Sequence, residues 1–164
     1  MSYNSSNYKE QGGSSWIVDG TQTVNGTLTI NGTMTIAATA TVGVPRVTKV
    51  ALAAVDTAGG VFAWANPAGA AILVHSVHLD ITTFTTGACT IDVGVAANGT
   101  TLSDTLIDGG DASTAAKVLN SATNAGTNGS MSRKVTSTQF VTASKATGAT
   151  AGLVGNAYIV WSVI

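Results

Sequence analysis

Residues 71–96 read AILVHSVHLDITTFTTGACTIDVGVA, two runs of alternating apolar and polar residues separated by a Thr- and Gly-rich interval. Successive side chains of a strand face opposite sides of its sheet, so this alternation predicts strands over 71–82 and 88–95. In the first run Leu73, His75, Val77, Leu79 and Ile81 share one face, and Val74, Ser76, His78 and Asp80 share the other. His75 and His78 are therefore expected on opposite sides, where they cannot ligate one metal ion. In the second run Cys89 lies with Ile91, Val93 and Val95, which predicts a core thiol rather than a nucleophile.

The same texture continues in both directions. Further strands are expected over 46–55, 60–65, 116–119, 134–145 and 153–163, bounded by Gly, Asn and Asp clusters. No segment beyond about eight residues carries a helical period, so the fold class is all-β. Residues 46–164 are expected to form a C-terminal β-sandwich, jelly-roll-like. Its last strand, NAYIVWSVI, is apolar on both faces, as suits a central strand or one buried between subunits. Trp64 and Trp161 lie in such apolar strands and are expected in the core or a trimer interface. The interval 96–133 is rich in Gly, Asn and Ser, and long loops of this kind carry function or subunit contacts.

Before Pro45 the pattern is different. TVNGTLTINGTMTI, residues 23–36, repeats a six-residue unit. From 20 to 42 the even positions are mostly apolar or Gly and the odd ones are mostly Thr or Asn. An Asn25-Gly26 hairpin would pair Val24 with Thr27 and mix the two classes on each face. Stacking in steps of six places Val24 over Ile30 over Ile36 instead, like upon like. One chain holds too few hexads for a stable coil, whereas three chains supply about fourteen, enough for four or five rungs at ~4.7 Å. Residues 16–45 are thus expected to form a homotrimeric β-stem, as a shared β-coil or three wound strands. Its core would hold Val18, Val24, Leu28, Ile30, Met34, Ile36 and Val42.

Residues 1–15 are polar and aperiodic, an arm expected to order only against a partner. With Trp16 just beyond it, the arm offers Tyr3, Tyr8, Lys9 and Glu10, a set suited to anchoring.

Composition narrows the functional classes. The chain has 164 residues, 45% apolar and only 9% charged, with net charge −1. That content can fill a core, but seven scattered basic residues make no stripe for nucleic acid. No basic n-region precedes an apolar run and no stretch approaches ~18 strongly apolar residues, so neither a signal peptide nor a membrane span is expected. A single cysteine excludes an intramolecular disulfide. Five Asn-x-Ser/Thr triplets, at Asn4, Asn25, Asn31, Asn98 and Asn128, are read as turns. DTLIDGGDAS, residues 104–113, gathers Asp104, Asp108 and Asp111, but without the EF-hand spacing; it is read as a solvated loop, and no metal or cofactor is expected. A His78–Asp80 pair has no placed nucleophile beside it, so no enzyme activity is expected.

NYKEQGG at 7–13, followed by WIVDGTQTVNGTLTINGT, resembles the opening of head fibre proteins of tailed bacteriophages. ILVHSVHLDITTFTTGACTIDVGVA and GLVGNAYIVWSVI are similar to the β-domain of phage capsid decoration and fibre proteins. The resemblance implies a homotrimeric virion protein on the outer capsid surface, bound to the major capsid protein by its arm. The alternative is the receptor- or glycan-binding tip of a phage tail fibre or other adhesin, whose distal loops would bind a host-surface glycan.

Overall fold

The computed structural model describes residues 7–9, 16–18, 44–57, 59–114 and 117–164, the first two runs as backbone only. Two compact units make up the chain, Met1–Ala38 and Thr39–Ile164. In the first, Asn7–Lys9 (β1) pairs antiparallel with Trp16–Val18 (β2), Tyr8 opposite Ile17. The expected arm therefore contributes a strand, and its partner is an aromatic and β-branched run that favours extended backbone. Of the expected stem core, Val24, Leu28, Ile30, Met34, Ile36 and Val42 lie outside the described residues.

The second unit is all-β, with no helix among its described residues. Its strands are Arg46–Leu52 (β3), Phe62–Ala65 (β4), Ile72–Thr83 (β5), Cys89–Ala96 (β6), Ile107–Asp111 (β7), Lys117–Asn120 (β8), Arg133–Val135 (β9), Phe140–Gly148 (β10) and Val154–Val163 (β11). They form two antiparallel sheets. One runs β4-β10-β6-β7; the other runs β3-β11-β5-β8, with β9 also paired to β5. The sheets pack face to face over one apolar core. Val141, Ala143, Ile91 and Val93 come from the first sheet, and Val77, Leu79, Ile81, Ala157 and Ile159 from the second, all at most 1% exposed.

Two expectations about where the sandwich strands fall change. The expected strand 134–145 is two strands in different sheets, joined by a turn in which Gln139 N donates to Thr136 O at 3.1 Å and Gln139 Oε1 accepts from Thr136 N at 2.9 Å. Here the chain crosses from one layer to the other. The second change is β7, IDGGD, which lies in the interval expected to be loop. Glycine weakens intrinsic strand preference, yet β7 is held by pairing with β6 and by Gly109 at φ 70°, a backbone conformation that suits Gly.

Strand β11 is central in its sheet, between β3 and β5. Ala157, Ile159 and Trp161 enter the core while Tyr158 and Val160 occupy the outer face, half-buried. Cys89 is buried at 3% exposure, and burial pushes its thiol pKa up, with Asp56 adding to the rise. It is a core thiol, as its place in the alternation implies.

Candidate functional site

Strand β5 carries both histidines, and a bulge decides where they point. Val160 pairs with Ser76 and Trp161 with Val74, so His75 is the extra residue on β5. Burial changes parity across it: Ile72 and Val74 are buried before the bulge, and Val77, Leu79 and Ile81 after it. His75, Ser76 and His78 consequently share the outer face, which corrects the expectation that the two imidazoles lie on opposite sides. Each is committed to a hydroxyl. His75 Nε2 lies 2.9 Å from Ser162 Oγ, and His78 Nε2 lies 3.0 Å from Ser76 Oγ. Among the described residues no three His, Cys, Asp or Glu side chains converge as metal ligands. A uniform period of two has no signal for a bulge, so sequence reading missed this arrangement.

The acidic segment builds a different locality. Asp104 Oδ2 accepts from Asn128 Nδ2 at 2.9 Å, and Asp108 Oδ2 accepts from the backbone N–H groups of Thr127 and Asn128 at 3.2 and 3.1 Å. Asp111 accepts from Ser113 N and Oγ at 2.9 and 2.6 Å and from Lys117 Nζ at 2.9 Å. These bonds, the Ser113 ones foremost, hold its carboxyl well below the ordinary carboxylate range. The aspartates thus tie loops together. A cleft of about 330 Å³ lies among them, lined by Asp108, Gly109, Gly110, Asp111, Lys117, Thr123, Asn124 and Gly126. Its lining carries side chains of both charges, Asp108 and Asp111 against Lys117, among three glycines.

A loop over Asn98–Thr105 covers the outer face of the four-stranded sheet. Thr142 Oγ1 donates to Thr101 O at 2.9 Å, and Val95 N donates to Thr105 Oγ1 at 3.0 Å. Gly94 permits this close approach: a Cβ there would strike Ser103 Oγ and stand 2.6 Å from Thr105 N. Thr142 is buried beneath this loop at 1% exposure, and Asp92 and Ser144, on the same outer face, are also buried, at 7% and 2%. Asp92 Oδ1 accepts from Gly109 N at 2.8 Å. Burial raises its pKa more than that bond lowers it, and the neighbouring Asp108 and Asp104 charges raise it further.

Of the expected anchoring residues, Tyr8 and Lys9 lie on β1 and Trp16 on β2, with Lys9 and Trp16 directly paired; Val18, expected in the stem, pairs with Asn7. Tyr3 and Glu10 lie outside the described residues. Trp64 and Trp161 are in the core, at 8% and 4% exposure. No known protein family, curated protein or solved structure matches this chain.

Proposed function

We propose that the protein is a structural virion component, a homotrimeric head fibre or decoration protein on the outer capsid surface of a tailed bacteriophage. The hexad repeat over 18–42 carries this reading, because its segregated faces are satisfied by stacking between chains. The arm and the start of the stem, with Tyr3, Tyr8, Lys9, Glu10 and Trp16, bind the major capsid protein. The stem joins three chains along the Val18, Val24, Leu28, Ile30, Met34, Ile36 and Val42 column. The β-sandwich is the displayed part. Its compact core, and the aspartates that tie its loops together, support a role in assembly.

A second reading draws on the polar cleft beside Asp108 and Asp111. On a tail fibre tip or another adhesin, such a cleft would take a host-surface glycan through hydroxyl contacts to the carboxylates and Asn124. Immunogold labelling of intact virions separates the two. Labelling over the head supports decoration, and labelling confined to the tail tip overturns it.

A further inference from the structure

We infer that Asn98 is a site of spontaneous deamidation, because the structure gathers around its side-chain amide the groups that favour ring closure by the Gly99 nitrogen. Asn-Gly pairs begin at Asn25, Asn31, Asn98 and Asn128. The last two lie within the described residues and are both exposed, so exposure does not distinguish them. Their hydrogen bonds do.

Asn98 Oδ1 accepts three hydrogen bonds: from Thr100 N at 3.0 Å, Thr100 Oγ1 at 2.9 Å and Thr101 Oγ1 at 2.8 Å. The backbone donor identifies which end of the amide is oxygen. The same bond closes an Asx-turn that spans the Asn98–Gly99 peptide. Neither Asn98 Nδ2 nor the Gly99 N–H has a partner among the described residues. The loop is held in this form from outside the turn, by the Thr142 bond to Thr101 O.

Each feature serves one part of the reaction. The Gly99 nitrogen forms a bond to Asn98 Cγ as its proton passes to hydroxide, and negative charge develops on Oδ1. Three donors already aimed at that oxygen stabilise it as an oxyanion hole does. Collapse of the tetrahedral species restores the carbonyl, breaks the Cγ–Nδ2 bond and releases the nitrogen as ammonia with a proton from water. One water then opens the succinimide at either carbonyl and leaves aspartate or isoaspartate. The balance is one water consumed and one ammonia released.

Asn128 has the opposite surroundings. Its Nδ2 donates to Asp104 Oδ2 at 2.9 Å, and the Gly129 nitrogen donates to Ala125 O at 3.0 Å. Leaving group and nucleophile are both engaged. The fold therefore makes Asn98 labile and Asn128 durable, although their dipeptides are identical.

Incubation of the whole folded protein in mildly alkaline buffer, followed by peptide mapping with fragmentation that resolves isoaspartate, measures each site separately. Conversion at Asn98 should outpace Asn128 severalfold, and the two rates should converge in denaturant. Thr101→Val should slow Asn98 by roughly three- to tenfold, less than the ~10²–10³ for a donor in a water-excluded oxyanion hole. Gly99→Ala should slow it as well; an added Cβ there meets nothing nearer than 3.4 Å, so the variant folds. Equal rates at the two sites in the folded protein overturn the proposal, as does a difference that persists in denaturant. An unchanged or faster rate in Thr101→Val also overturns it.

Discussion

Trp64 on β4 and Trp161 on β11 meet across the sandwich, their ring centroids 5.8 Å apart and their planes tilted by 54°. This edge-biased contact joins the two sheets where β11 nears its end. Trp161 is held further by Nε1, which donates to Thr48 Oγ1 at 3.0 Å, and by the Arg46 guanidinium 5.3 Å above its ring. Trp161→Ala should therefore destabilise the sandwich by about 3–5 kcal/mol, with Trp161→Phe costing less because it keeps most of the ring contact. Urea unfolding followed by circular dichroism measures both. Equal losses in the two variants would remove the weight given to the aromatic pair.

Gly94 controls the loop above the four-stranded sheet. Adding a methyl group in Gly94→Ala should push Ser103 and Thr105 away, at a cost of about 1–3 kcal/mol, without dissolving the core beneath. The Val95 amide, which donates to Thr105 Oγ1, should lose hydrogen-exchange protection while Val93 keeps its own. Simultaneous loss at both would mean that the loop and sheet unfold together.

Two aspartates respond to pH in opposite directions. Asp92 has its folded pKa raised by burial and by Asp108 and Asp104, so the folded protein holds that proton more tightly than the unfolded chain. Its contribution is most favourable below the unfolded carboxylate pKa and is lost as pH rises through the folded value. Asp92→Asn keeps an oxygen for Gly109 N–H and should be at least as stable as the parent at neutral pH, with the advantage vanishing in acid. Asp111 has its pKa lowered by Ser113 and Lys117. Its stabilisation is present above the unfolded pKa and fades as pH falls through the folded one. Because Asp111 is 43% exposed, Asp111→Asn should cost under ~1 kcal/mol. Thermal unfolding across the acid range tests both signs.

Sedimentation and capsid binding test the proposed stem and arm. The intact protein should sediment at three times the monomer mass, and Ile30→Asp should break the trimer by placing unpaired charges along the stem axis, at several kcal/mol per ion. A monodisperse monomer of the intact chain would sink the stem. Deleting residues 1–15 should abolish capsid binding, but it also removes β1, the partner of β2. Tyr8→Ala with Trp16→Ala is the cleaner variant, since it leaves the backbone able to pair. Joint binding by three arms amplifies a modest loss per arm, so capsid occupancy should fall ~10²-fold or more while the trimer persists.

The fold class was legible because alternation marks a half-buried strand wherever pairing is regular. Strands β3–β6, β8 and β11 fall close to their expected positions. Legibility ended where a local irregularity changed parity or where a distant segment supplied the partner. His75 illustrates the first, since one bulged residue moves it relative to the buried set while every neighbour in sequence stays the same. Gly109 and Gly110 illustrate the second: their strand exists because β6 accepts it. The burial of Thr142 was equally hidden, because it occupies a position that alternation assigns to solvent and is met there by Thr101 from a loop elsewhere in the sequence. Asn98 was visible as a turn, but its separation from Asn128 rests on hydrogen bonds that no dipeptide announces.

The pairing of Arg46 with Trp161 puts the first strand of the sandwich beside its last, with the two running in opposite directions. The segment leading into β3 and the segment leaving β11 thus emerge at the same end of the sheet. A pulling load between them would act across the strand-to-strand hydrogen bonds from one end, opening them in succession like a zipper instead of shearing them together. Strand β3, an edge strand with only β11 beside it, would peel first and at low force. A load applied instead between the segment before β3 and the far turn at 84–88 would run lengthwise through the sheet and share the strain among many bonds. The domain's mechanical strength therefore depends on where it is gripped, a directional property that its equilibrium stability does not report.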